Sequence, residues 1–413
     1  MKKALATLLC LLLLGTTALV SCNNDSDNTS STAGDNSTVV STSSDTASDS
    51  TDTSVDENGR VDGIVGYLGD GKWGRKMPEF KWTDKNTFTV LVYNNEKEAT
   101  YYSEEIEPNL YETTYDAIND AVDRRNKLIE EKYGITIKAR AVADVYSTLS
   151  TELQVASDDN CDAAMPFLPA CTTLAQDGYL YGLNEFAADG YLDLSMPWWD
   201  QNANESFSIA DKTYFSISDM SIMQKIVSCC LMFNKDLLKS KYPSLNLYDE
   251  VNNKTWTIDK MLEMCQMVLR DGDGSNDYKV GTAADSDTIG FSSSTFSYRA
   301  FFFGCGERYV TKNSSDKFTV ALTSGKGAEV IDKIIKFYGD DSYQNSSYTV
   351  YPEALKANKL LFEGEILNAL VRFKDVEDLE IGVLPFPLFD ENQERYYLHV
   401  NNHLPVYGIP TSF

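Results

Sequence analysis

The sequence predicts an α/β protein with more than one sheet, and three observations carry that expectation. The run Phe88-Thr-Val-Leu-Val-Tyr93 is rich in β-branched residues and reads as a buried strand. Apolar positions at Tyr115, Ile118, Val122, Leu128, Ile129 and Tyr133 then follow helical spacing, with Gly134 placed to end the helix. Ile135-Thr-Ile137-Lys-Ala139 alternates as a second strand, which completes a β-loop-α-β unit, the building block of parallel sheets.

The pattern recurs along the chain. Thr257 is placed to cap a helix whose buried stripe is Ile258, Met261, Leu262, Cys265, Val268 and Leu269. Val330, Ile331, Ile334, Ile335 and Tyr338 mark another helix. Ala354–Phe362 is expected to form a third, closed by Gly364 and followed by a strand at Ile366–Val371. Ile381-Gly-Val-Leu384 reads as a strand stopped by Pro385. No fixed-period repeat is present.

Ahead of this body lie two segments of another character. Lys2 and Lys3 precede an apolar run from Ala4 to Leu14, which resumes at Ala18–Val20 after a break. That is a secretory signal, too short and interrupted for a membrane span. It ends Leu19-Val20-Ser21-Cys22, which resembles a bacterial lipobox and implies lipidation of Cys22. Residues 23–57 are almost entirely Ser, Thr, Asp and Asn, with seven Asp, one Glu and no Lys or Arg. Such a stretch cannot bury enough apolar surface to offset its ordering entropy and is expected to be a disordered tether.

Composition narrows the function. The 413 residues carry 36 Lys plus Arg against 62 Asp plus Glu, a formal charge of −26, which excludes a nucleic-acid partner. Two histidines, His399 and His403, leave little for imidazole catalysis, and their spacing falls on a predicted strand that spreads them apart. Asp271-Gly-Asp273-Gly-Ser-Asn276-Asp277 offers oxygens on alternate residues but fails the EF-hand register, with Asn276 where Gly is needed and Thr282 where the bidentate Glu belongs. No metal and no cofactor are expected. Six further cysteines, Cys161, Cys171, Cys229, Cys230, Cys265 and Cys305, would ordinarily suggest disulfides in an exported chain. Cys229-Cys230 sits inside an apolar strand run and Cys265 on a helix's buried stripe, so they read instead as buried free thiols.

The order of segments resembles the carbohydrate-type, family 1, extracellular solute-binding proteins of ABC importers. Asp162-Ala-Ala-Met-Pro-Phe167 with Leu174-Ala-Gln-Asp-Gly-Tyr-Leu180, Leu194-Ser-Met-Pro-Trp-Trp-Asp200, Thr255-Trp-Thr257 and Gly382-Val-Leu-Pro-Phe-Pro387 follow in the family's order. Met232-Phe-Asn-Lys-Asp-Leu-Leu238 is the most specific match, similar to the family's strand-to-helix turn.

The resemblance implies a periplasmic-binding-protein-like (type II) fold, with two lobes joined by hinge strands. It places a signal peptide at 1–21, a tether at 22–60, a first lobe at 61–217 plus 371–413, and a second at 218–370. Family members continue with further C-terminal helices, so the expectation is a chain that lacks them. The implied function is capture of a sugar or oligosaccharide and delivery to a membrane permease, by a monomer lipid-anchored at Cys22 on the outer face of the cell membrane. A secreted glycan hydrolase and a surface adhesin are the alternatives. Ligand contacts are expected at strand ends and crossings, from Asn94, Asn95, Phe167, Trp198, Asp219, Phe296 and Arg372, with Pro169, Met220, Tyr298 and Phe301 nearby.

Overall fold

The structure is a computed structural model, and it describes residues 64–65, 75–76, 86–93, 105–108, 116–155, 161–188, 192–196, 198–280, 286–293, 297–322, 325–345, 351–374, 376–377 and 379–411. Its strands are β1 (Ile64–Val65), β2 (Arg75–Lys76), β3 (Thr87–Tyr93), β4 (Thr136–Val142), β5 (Ala163–Ala164), β6 (Phe215–Ser216), β7 (Cys229–Asn234), β8 (Ile289–Ser293), β9 (Val310–Lys312), β10 (Phe318–Val320), β11 (Tyr343–Asn345), β12 (Leu360–Ile366), β13 (Ile381–Leu384) and β14 (Tyr407–Gly408). Two five-stranded sheets organise the chain, in the orders β4-β3-β5-β14-β6 and β11-β8-β12-β7-β13.

In the first sheet β3 runs parallel to both β4 and β5, as the β-loop-α-β reading requires, and β14 closes in antiparallel against β5 and β6. The helix Asp116–Tyr133 links β3 to β4, and Gly134 ends it with φ +71°, a left-handed conformation that glycine adopts without steric cost.

The second sheet is mixed. β8 is parallel to β11 and β12, while β7 is antiparallel to β12 and β13. Asn234, fully buried at the end of β7, shapes the strand-to-helix turn. Its Oδ1 accepts from Leu237 N at 2.7 Å, capping the helix Lys235–Lys241, and its Nδ2 donates to Leu355 O and Asn358 Oδ1, both at 2.8 Å. Trp256 is also fully buried and donates through Nε1 to Pro385 O at 3.1 Å. That bond ties the Thr255–Thr257 segment to the Pro385–Pro387 segment.

Three expectations change. Ala354–Phe362 is not one helix: the helix is Tyr351–Lys356, Asn358 turns the chain at φ +57°, and Leu360–Ile366 is a strand buried along its whole length. A short apolar run looks the same to a buried helix and to a strand covered on both faces. Leu367–Phe373, expected to continue a strand to Val371, is a 3-10 turn. The first-lobe boundary at 371 also moves, because Ile381–Leu384 pairs with β7 in the second sheet. Gly382 makes that pairing possible, since a Cβ there would stand 2.0 Å from the Phe233 ring. The return to the first sheet comes only at β14.

One core of buried residues runs through both sheets, from Leu91 and Ala164 to Phe233, Trp256 and Phe362. The six cysteines among the described residues are all free and buried. Burial pushes Cys171, Cys229 and Cys265 well above the usual thiol range. Among the described residues no helix is long and apolar enough to cross a membrane.

The helix Ile258–Val268 lies so close to β8 that a Cβ on Gly290 would stand 2.2 Å from Cys265 Cα. Backbone cannot step aside as a side-chain tip can. Gly290→Ala should therefore lower the unfolding free energy by about 1–3 kcal/mol, read as a lower urea midpoint at unchanged slope.

Candidate functional site

The chain passes between the sheets twice, at 217–228 and at 399–406. The two crossings pair with each other. Ser228 and Val400 form an antiparallel bridge, Cys229 N donates to His399 O at 2.8 Å, and Asn401 N donates to Val227 O at 3.1 Å. Val227 and His399 are buried there. The His399 ring packs 4.8 Å from that of Phe303, and its pKa falls to about 3, from burial first and then from Arg299, so the imidazole is uncharged at neutral pH. The first crossing holds a short helix, Ile222–Ile226, capped by Ser221 Oγ accepting from Gln224 N at 3.2 Å.

Beside the paired crossings is a cavity of about 360 Å³. Asp200 and Asn202 line it from the first lobe, Gln224, Lys225 and Ser228 from the first crossing, and Arg395–Leu398 from the segment that leaves the second lobe. Asp200 serves two elements: one oxygen caps the helix Gln201–Phe207 by accepting from Ala203 N at 2.9 Å, and the other accepts from Gln224 Nε2 at 2.8 Å. Lys225 Nζ donates to Gln224 Oε1 at 3.0 Å and stands 3.7 Å from Asp219 Oδ1. The Arg395 guanidinium lies over the Tyr397 ring, 5.7 Å from its centroid. A carboxylate, amides, an ammonium, a hydroxyl, a guanidinium and aromatic faces thus meet at one opening, an inventory suited to a polyhydroxylated solute.

The sequence-predicted residues fall in three places. Trp198 and Asp219 are not among the residues lining the cavity but are tied to its neighbourhood: Asp219 N donates to Trp198 O at 2.8 Å, Asp219 Oδ1 stands 3.7 Å from the lining Lys225, and Met220 beside it is 39% exposed. Phe167 lies at the carboxyl end of β5, half-buried, with its ring 4.3 Å from Tyr93 and 5.5 Å from His403. The chain there is bridged to the second crossing by Phe167 and Pro405. Pro169 begins the helix Leu168–Gln176, at its second residue. Arg372 sits apart on the 3-10 turn, turned toward Glu363 and Glu365. Asn94, Asn95, Phe296 and Cys22 lie outside the described residues. Phe301 and Tyr298 are core rather than cleft; Phe301 is 1% exposed and packs on Phe291, Phe337 and Phe386.

Gln224, Lys225, Arg395, Tyr397 and His403 are the residues that sequence reasoning missed. Only the Arg395-Tyr396-Tyr397 cluster carried a local signal, and it precedes a run that reads as an ordinary strand. The others become neighbours through the pairing of the crossings, which leaves no mark in local sequence.

Two acidic groupings remain. Carboxylate oxygens of Asp271, Asp273 and Asp287 lie within 4.8 Å of one another. They are occupied in folding the loop: Asp271 accepts from Gly274 and Asn276 N–H, Asp273 from Ser275 N–H, and Asp287 from Gly272 and Lys279 N–H. Glu363 and Glu365 point from β12 to one face of the second sheet, beside Cys230 and Met232. Both are buried, and Arg372 approaches them at 3.7 and 3.9 Å, beyond hydrogen-bond length. Neither oxygen of Glu363 has a hydrogen-bond partner among the described residues.

With that geometry in hand, comparison with known proteins is informative at the level of fold. No protein-family model matches the sequence, and no curated protein does. Solved structures do. The cyclo/maltodextrin-binding protein complexed with maltotetraose superposes with a TM-score of 0.52 at 13% identity, over 80% of this chain and 71% of that chain. UspC of M. tuberculosis superposes with a TM-score of 0.50 at 13% identity, over 79% of this chain and 73% of that chain. The chain has the two-lobe periplasmic-binding-protein-like fold. In that frame the cavity and the strand ends at Tyr93 and Phe167 belong to the region where the lobes meet.

Burial first, and then the neighbouring Glu365, push the Glu363 carboxyl up to about 8, with Arg372 opposing. An unfolded Glu titrates near 4.3, so the native state keeps a proton that the unfolded chain releases. Stability from this group is full below about pH 4.3 and falls as pH rises toward 8, by at most about 1.4 kcal/mol per pH unit. Glu363→Gln should flatten the decline in unfolding free energy between pH 5 and pH 8. An unchanged slope would show that another group sets it.

Proposed function

We propose that this protein captures a sugar or oligosaccharide between its two lobes and presents it to the membrane permease of an ABC importer. The observation that carries the reading is the cavity at the paired crossings, lined from both lobes by polar and aromatic groups, in a fold shared with a maltotetraose-bound binding protein. Capture requires no bond to be made or broken. It requires two rigid bodies and a short connection that lets them approach, so that ligand stabilises the closed arrangement by its greater affinity for it.

Division of labour follows from side-chain chemistry. The half-buried Phe167 ring offers an apolar face to the C–H side of a pyranose, and Trp198 does the same from the other edge of the crossing. Asp219, with its charge neighbour Lys225, and Asp200 with Gln224 supply acceptors and donors for hydroxyls. The ligand for this protein is on that account hydroxyl-rich.

A panel of malto-oligosaccharides and cyclodextrins tests the reading by thermal shift. A true ligand at 100 times its Kd raises the unfolding free energy by about 2.7 kcal/mol. Phe167→Ala should weaken the tightest binder by about 2- to 13-fold, the loss of one ring-face contact of about 0.5–1.5 kcal/mol. No stabilisation by any of a wide set of carbohydrates would remove sugar capture as the function, and released reducing ends would favour the hydrolase.

The Leu19–Cys22 motif and the acidic run after it support anchoring at the outer face of the cell membrane, through acyl chains on Cys22. Radiolabelled palmitate fed to a bacterial expression host should enter the full-length protein and not its Cys22→Ala variant. Label in both would place the lipid elsewhere.

A further inference from the structure

Besides the two covalent crossings, a third bridge joins the lobes, and it is built from side chains. The β9–β10 hairpin, in the second lobe between the helices Ser297–Gly304 and Lys326–Tyr338, reaches the first-lobe segment just ahead of β6. Asp316 is at its turn. One oxygen of Asp316 accepts from Ser208 Oγ at 3.1 Å and pairs with Lys312 Nζ at 2.7 Å; the other accepts from Asp211 N at 3.0 Å. Lys312 Nζ also donates to Ser208 Oγ at 2.6 Å and Ser208 O at 3.1 Å. The two charged side chains are 14% and 6% exposed, so solvent screens this pair weakly.

Both partners are held in place by unfavourable backbone. Ile209 and Lys212 exchange backbone hydrogen bonds at 2.8 and 3.1 Å, which closes a turn whose central residues, Ala210 and Asp211, have φ +51° and +61°. That region suits glycine, and here it holds an alanine. The tight turn aims Asp211 N at Asp316. On the other side Asp316 has φ +55°, and Asn313 Oδ1 braces its loop by accepting from Ser315 N and Lys317 N, both at 3.0 Å. Sparsely populated conformations persist where surrounding contacts over-determine them, and they gather at clamps and switches. Two such turns meeting across the interlobe boundary make a contact with a defined geometry.

We infer that the Lys312–Asp316 hairpin and the Ser208–Asp211 turn form a latch that sets the resting separation of the lobes. The inference rests on the reading of the chain as a two-lobe capture protein. Its consequence for capture is energetic. A ligand that needs a different separation must break the latch, so the latch lowers apparent affinity in proportion to the population of the binding-competent state. The partly desolvated Asp316 carboxylate would on that ground have a raised pKa, and the Lys312 ammonium, the Asp211 N–H and the Ser208 hydroxyl together bring it below the ordinary value. The latch is therefore intact at neutral pH.

The test is an interlobe distance measured without any sugar. Val155, at the C-cap of the helix Val145–Gln154, and Met267, in the helix Ile258–Val268, are well exposed and lie in different lobes, so spin labels on Val155→Cys and Met267→Cys report the separation by pulsed dipolar spectroscopy. Asp316→Ala should broaden the distance distribution and shift its mean, and amide exchange at Asp211 should accelerate about tenfold or more, as expected for release of the hydrogen bond that Asp316 accepts from it. Ser208→Ala, a change made on the first-lobe side of the contact, should move the distribution the same way. The double variant should go no further than Asp316→Ala alone, because both act on one contact. An unchanged distribution in variants that keep the native circular dichroism, or two additive shifts, would overturn the latch. If Asp316→Ala does not fold, Ser208→Ala and Lys312→Met decide alone, by the same readout. Failure of sugar capture would appear in the thermal-shift panel and would leave this measurement untouched.

Discussion

Everything in this molecule that concerns function depends on the pairing of the two crossings. A chain that leaves one sheet for another takes its backbone N–H and C=O groups away from their ladders, and those groups need partners. Here they find each other, through Ser228 with Val400, Cys229 N with His399 O and Asn401 N with Val227 O. The result is a short antiparallel joint between two sheets that are otherwise complete. It fixes where the cavity lies, because Gln224, Lys225 and Ser228 on one crossing are brought beside Arg395–Leu398 leading into the other. On the proposed capture mechanism, rotation of one lobe against the other falls on these few residues.

The second lobe shows the cost of placing charge inside such a body. Its central strand β12 carries Glu363 and Glu365 on a face otherwise made of Cys230, Met232 and Ala369. Arg372 approaches from the 3-10 turn without closing a hydrogen bond. That turn leads straight to the joint, since Leu367 N donates to Ser228 O at 2.9 Å. Charge state in the second sheet and geometry at the crossing are thus mechanically adjacent. The first lobe has a different economy. Ion pairs such as that of Lys127 with Asp123 lie at its surface and contribute little to stability.

Much of the fold was legible in the sequence, for identifiable reasons. The run 88–93 and the stripe 258–268 carry strong single periodicities, and both elements are where the pattern puts them. The turn after β7 was legible because Asn234 does two jobs that other residue types do less well, capping a helix and bridging to Leu355 and Asn358. The failures share one cause. Leu360–Phe362 reads as helix in the sequence because a strand covered on both faces has no alternation to display. Ile381–Leu384 was placed in the wrong lobe because strand order is decided by tertiary pairing, here by the close approach of Gly382 to Phe233. At the site, the aromatic and acidic residues near the crossings could be nominated from segment order. Their charged neighbours could not, because Lys225 and Arg395 lie some 170 residues apart in sequence and meet only through the joint.

Small-angle X-ray scattering of the intact chain, recorded with and without a carbohydrate that stabilises it, tests the two-lobe capture account most directly. The account predicts a smaller radius of gyration and a shorter maximum dimension on saturation, with secondary structure unchanged. Identical scattering curves at full occupancy would contradict it, since a saturated protein that does not change shape has no closure for the crossings to permit.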